Sequence, residues 1–97
     1  HTHVPLCFYA TPSQEIGETL LDDGTVVEIN PSYKYLINCG SVGQPRDGDS
    51  RASCGIYDAQ RNSLKIERIK YDIARTQEEI LNAGLPAALA LRLAYGR

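Results

Sequence analysis

The stretch that decides the fold is ASCGIYDAQRNSLKIERIKYDIARTQEEILNAG, residues 52–84. Before Asp72 it mixes β-branched and aromatic residues with turn formers; after Asp72 come alanine- and leucine-rich periodic segments. Residues 52–59 and 62–71 flank a turn around Gln60 to Asn62, which predicts a β-hairpin. Leu64 and Ile66 share one strand face, whereas Ile69, Tyr71 and Ile73 fall one residue out of phase. A bulge near Glu67 and Arg68 would turn them back inward. Asp72 is placed to accept from the free N–H groups of a first helical turn, and Ile73, Gln77, Ile80 and Leu81 follow at helical spacing. Gly84 ends that helix. A second begins with Pro86 in its first position, sets Leu85, Leu89 and Leu93 four apart beside Ala90 and Ala94, and stops at Gly96. Each helix has one apolar face and is expected to lie on a sheet.

Outward from this stretch, toward the N-terminus, the signal remains β. VPLCFYA, residues 4–10, reads as a first strand, and KYLINCGS, residues 34–41, as another. TLLDDGTVVEI, residues 19–29, reads as two strands around Asp23 and Gly24, a dipeptide suited to a tight hairpin. The fold class is therefore α+β: an antiparallel-rich sheet region over about residues 4–71, then two helices over about 73–95, in a single segment spanning 1–97.

Ninety-seven residues allow one core of ordinary size. Ten basic against twelve acidic residues, a net charge of −2, give no basic surface for a phosphate backbone, so nucleic acid is a poor partner. The longest apolar run, LPAALALRLA, is interrupted by Arg92 and falls short of the about 20 residues of a membrane span. A soluble protein is expected. Cys7, Cys39 and Cys54 are odd in number and lack a C-x-x-C pattern, so they read as small apolar strand residues in a reducing cytoplasm. A chain that opens on His and contains no Met is expected to have been cut or to follow further sequence.

Two stretches could carry chemistry. In an extended chain His1 and His3 point the same way about 7 Å apart, given a rise of roughly 3.3 Å per residue. So placed, two imidazoles can serve one metal ion or a bridged pair. Surface and tag histidines share this spacing, and a free amino terminus at His1 could instead join His3 around Cu(II) or Ni(II). In INCGSVGQPRDGDSRAS, residues 37–53, glycines let backbone N–H groups approach an anion, and Gln44, Arg46 and Arg51 supply donors for phosphate oxygens. The plainer reading is a solvated loop. Asp47 and Asp49 lack the downstream Glu of a calcium loop.

Together, HTHVP at residues 1–5, INCGSVGQPRDGD at 37–49, GIYD at 55–58, YDI at 71–73 and AGLP at 83–86 resemble the C-terminal part of the calcineurin-like metallophosphoesterases. The likeness is nearest to their small bacterial phosphodiesterase and diadenosine-tetraphosphatase-like branch. It runs nearly the whole length, although residues 13–33 are only generically β. His1-Thr2-His3 matches the family's G-H-[T/S]-H except for a glycine that would precede residue 1. The resemblance implies a four-layer α/β/β/α sandwich, to which these residues contribute much of one sheet and the final helices. It implies that His1 and His3 each ligate one of two bridged divalent ions, Mn, Fe or Zn, for hydrolysis of phosphate mono- or diesters. Substrates would be phosphorylated small molecules, nucleotides or phosphoproteins, with Gln44 and Arg46 as candidate contacts. The family's D-x-H, G-D-x-x-D and G-N-H-[D/E] motifs do not occur here, so a working centre would need an N-terminal part of the same domain. The rival reading is a non-catalytic β-rich interaction module with incidental histidines.

Overall fold

The computed structural model describes residues 1–97. Six strands form first: β1 (Pro5–Ala10), β2 (Ile16–Leu20), β3 (Val26–Glu28), β4 (Lys34–Cys39), β5 (Ala52–Asp58) and β6 (Ser63–Ile69). Two helices follow, α1 (Ile73–Asn82) and α2 (Ala87–Leu91), the latter running into a 3₁₀ turn at Arg92–Tyr95. The chain is α+β, as expected.

The strands make two antiparallel three-stranded sheets, ordered β2-β1-β4 and β3-β6-β5. Their facing sides meet at Cys7, Leu21 and Ile66, with Val27, Tyr35, Ile37, Cys39 and Leu64 packed around them. Ile66 is fully buried, which is worth about 1.5–3 kcal/mol for a side chain of its kind.

The β5–β6 hairpin forms where expected. Asp58 closes its turn by accepting from Gln60 and Arg61 N–H at 2.9 and 3.0 Å. The bulge does not form: pairing is unbroken from Asp58↔Ser63 to Ala52↔Ile69. Arg68 takes the inward place instead, on the face of Leu64 and Ile66, with its side chain only 4% exposed. An ion-paired arginine continues the inward row, so no phase shift is required.

The hairpin expected at Asp23-Gly24 is also replaced. β2 pairs with β1 and β3 pairs with β6, so this turn carries the chain from one sheet to the other. A two-residue hairpin of type I′ needs positive φ at both central residues; here Gly24 is left-handed at φ 79° while Asp23 is not. The turn is closed by Thr25 N–H to Asp22 C=O at 3.0 Å and held on β6 by Gly24 N–H to Ile66 C=O at 2.8 Å.

Asp72 caps α1, accepting from Arg75 N–H at 3.1 Å. Pro86 stands one place earlier than expected, as the residue preceding the first turn of α2. The helices were expected to lie on a sheet, but they pack on each other, with Gln77 Nε2 donating to Ala90 C=O at 2.9 Å. No residue of α1 is buried, and in the second helical segment only Ala90 and Leu93 are. The apolar face of α1 finds too little sheet within these 97 residues to cover it.

The same shortage shapes the whole chain. Only 11 of 97 residues are buried, and the radius of gyration is 16.1 Å where a compact domain of this length has about 13 Å. On the outer face of the β2-β1-β4 sheet, Leu36 is 72% exposed and Ile16 79%, with Leu6, Phe8 and Leu20 on the same side by strand alternation. An apolar face of this kind drives association. The isolated chain is therefore expected to self-associate, and Leu36→Glu to shift its sedimentation toward the monomer; an unchanged distribution would show that this face is not the contact.

Candidate functional site

β1 is preceded by a bend at Val4 rather than by more strand. His3 has φ 61°, in the left-handed region, where non-glycine residues are uncommon though histidine is among the enriched types. The extended geometry expected for His1 and His3 is therefore broken at His3. The two rings have different surroundings.

His3 is half-buried, and its Nδ1 lies 2.8 Å from the backbone carbonyl of Gln44. A carbonyl can only accept, so Nδ1 carries the proton in this contact and Nε2 keeps its lone pair. This is the arrangement found when an imidazole presents Nε2 to a metal while its other nitrogen is tied to a carbonyl. The donor chemistry of His3 fits a divalent cation.

His1 is exposed. With Thr2, Leu6, Phe8, Leu36 and Asn38 it borders a shallow cleft of about 480 Å³ on the outer face of the β2-β1-β4 sheet. Asn38, which sequence reasoning did not single out, anchors this corner. It donates through Nδ2 to Thr2 Oγ1 at 3.2 Å and accepts from Gly40 N–H at 2.9 Å. Its signal was faint: one Asn at the end of an apolar strand. No group of three or more His, Cys, Asp or Glu gathers here or elsewhere in the chain, so these residues alone do not make a closed protein ligand set for an ion.

The loop between β4 and β5 brings Gln44 and Arg46 together. Arg46 Nη2 donates to Gln44 Oε1 at 3.0 Å, and Gln44 Nε2 donates to the Arg97 carbonyl at 3.4 Å. The structure thus joins His3, Gln44 and Arg46 in one connected corner. Arg46 is exposed and keeps donors free for an anion.

Arg51 was counted among the phosphate donors, and here the structure differs. Its guanidinium bonds Asp49 through Nε and Nη2, the latter at 2.7 Å, and Asp23 through Nη1 at 2.9 Å. These hydrogen bonds push the Arg51 pKa up and hold it charged in the pairs. The same bonds lower Asp49, while Asp23 is lowered first by the Arg68 backbone N–H and then by Arg51. Asp47 pairs with Arg68. The acidic residues of this loop are paired with arginines.

The three cysteines are free. Cys7 is buried and the others half-buried in β4 and β5. Burial raises the Cys7 thiol; burial, and then the neighbouring Cys54, raise Cys39. Both shifts run away from the thiolate, the reverse of the lowering that activates a cysteine.

No family model matches the chain. Against a crystal structure of a metallophosphoesterase from Sphaerobacter thermophilus, the chain superposes over its whole length with a TM-score of 0.84 at 40% identity. The fold is metallophosphoesterase-like. The chain covers 41% of that protein. It is also 41% identical over all 97 residues to an uncharacterized protein of Methanocaldococcus jannaschii, of which it covers 37%. The metallophosphoesterase-like chain thus spans about two fifths of the length of the proteins it matches. No helix is long and apolar enough to cross a membrane.

Proposed function

We propose that these residues form one segment of a metallophosphoesterase domain and supply His1 and His3 to a two-metal centre that hydrolyses phosphate mono- or diesters. The observation that carries this reading is the His3 Nδ1 contact to the Gln44 carbonyl at 2.8 Å, which leaves Nε2 as a lone-pair donor. Likeness to a metallophosphoesterase over the full 97 residues supports the reaction class.

When bound, two divalent cations, Mn, Fe or Zn, supply activated water at neutral pH and offset charge on the phosphoryl oxygens. His3 holds its proton at Nδ1 and offers Nε2. His1, flanked by the Thr2–Asn38 bond, offers the second imidazole. Arg46, braced by Gln44, directs its remaining N–H groups toward phosphate oxygens of a small molecule, nucleotide or phosphoprotein. The other ligands, and cover for the outer apolar face, come from the N-terminal part of the same domain. Three free thiols fit a reducing cytoplasm.

In the longer protein, His3→Ala is expected to abolish Mn(II)-dependent hydrolysis of a chromogenic phosphodiester; unchanged turnover would remove the histidine from the mechanism. The exposed apolar face also favours a second reading, a non-catalytic interaction module. Metal analysis separates the two: two divalent ions per longer chain for the enzyme, none for the module.

A further inference from the structure

The carbonyl that fixes the His3 ring does not stand alone. Gln44 N–H donates to Ser41 Oγ at 2.9 Å, closing a side-chain turn over residues 41–44. At the other end of that turn, Ser41 C=O accepts from Ser53 N–H at 2.9 Å. Ser53 is 2% exposed, and its Oγ donates to Cys39 C=O at 2.7 Å. Pro45, fully buried, follows directly. The Gln44 carbonyl is thus held between an anchored serine and a buried proline. The Gln44 side chain points elsewhere, to Arg46 and Arg97.

We propose that Ser41 is a positioning residue for His3, acting through the Gln44 backbone to keep the imidazole in its Nδ1–H form with Nε2 free; this rests on the reading of His3 as a metal ligand. A neutral imidazole in water prefers its proton on Nε2, the nitrogen that must be bare to bind a cation. The Gln44 carbonyl reverses that preference only while it stays within hydrogen-bond distance of Nδ1. The same contact lies beside a backbone already in the left-handed region at His3, φ 61°. Loss of the Ser41 hydroxyl leaves the turn without its closing bond, and the ring is then free to return its proton to Nε2.

The test uses the longer protein stripped of metal and a size-matched pair, Ser41→Thr and Ser41→Val. Long-range ¹H–¹⁵N correlation spectra recorded at about pH 8 report which ring nitrogen carries the proton. The wild type and Ser41→Thr are expected to show Nδ1–H at His3, and Ser41→Val a majority of Nε2–H with unchanged amide shifts in β5 and β6. An Nε2–H ring in the wild type would overturn the proposal, as would a Val variant indistinguishable from wild type. Unfolding of both variants would also overturn it, because the serine would then be structural rather than positioning. In the longer protein, Ser41→Val is expected to weaken Zn(II) binding by about 10–100-fold. The tautomer measurement needs neither metal nor substrate, so it can succeed where the phosphoesterase reading fails, and the reverse.

Discussion

Replacing Arg68 with alanine is expected to destabilise the chain by about 2–3 kcal/mol, because it removes a nearly buried side chain together with the bonds that side chain makes. Few side chains in this sparsely buried molecule carry so many structural bonds. The guanidinium, 4% exposed, pairs with Asp47 and lies 3.9 Å from Asp49. Its Nη1 donates to the Arg51 carbonyl at 3.2 Å, and its backbone N–H reaches Asp23 at 2.9 Å. The β4–β5 loop, the inter-sheet turn and β6 are therefore joined at one residue. Asp47 is exposed and can turn to water after the substitution, so the loss comes from packing and hydrogen bonds rather than from a stranded charge. Arg68→Met should lose less, since it restores inward packing, and urea unfolding midpoints of the two variants make the comparison. Loss of less than about 1 kcal/mol in the alanine variant would reduce the pair to an ordinary surface contact.

Acid should weaken the same network. Asp23 and Asp49 are held below their ordinary carboxylate values in the folded chain. A depressed folded pKa contributes stability that is fully present above the unfolded value, near about 3.9, and is lost as pH falls through the lower folded values. Unfolding midpoints measured downward from neutral pH should fall into the acid range in the wild type and more shallowly in Arg51→Ala, which removes the guanidinium that lowers both carboxyls.

The network also marks where sequence reasoning stopped. Local signals were reliable: Asp72 before a periodic run, turn formers between β5 and β6, and Gly96 after the last turn all specify structure through neighbours in sequence. The β1–β2 hairpin escaped notice because its left-handed position is filled by Gln14, at φ 66°, rather than by Gly or Asn. The Asp23-Gly24 turn was seen, but its destination depends on Gly24 N–H finding β6 more than forty residues later. Arg68 broke an apolar alternation that a bulge would have explained equally well; only the positions of Asp47, Asp49 and Asp23 decide between them. At the candidate site, His-x-His and the Gln44–Arg46 loop were legible as residue types. The contact between them, 41 residues apart, was not, because a backbone carbonyl leaves no mark in composition.

Gly40→Ala should be among the most damaging single changes near the site. Gly40 leaves β4 at φ 86°, and a methyl group built there would lie 2.8 Å from the Ser53 side chain and 2.9 Å from Pro5 Cγ. Neither neighbour can readily move. Ser53 is buried and bonded at both its N–H and its Oγ, and Pro5 is a fully buried ring at the start of β1. The left-handed backbone costs an L-residue about 1–2 kcal/mol, and forcing atoms into a filled space typically adds about 1–3 kcal/mol, so a total near 3 kcal/mol is expected. Gly24→Ala supplies the control. Gly24 is left-handed too, at φ 79°, but nothing lies within 4 Å of an added methyl, so only the backbone part should appear. Urea melts of the two variants therefore separate conformation from contact, and equal losses would show that Ser53 and Pro5 do yield. The clash also reaches function: pushing Ser53 away from Cys39 and Ser41 displaces the anchored end of the 41–44 turn, so Gly40→Ala should disturb the His3 ring even where the sheets remain folded.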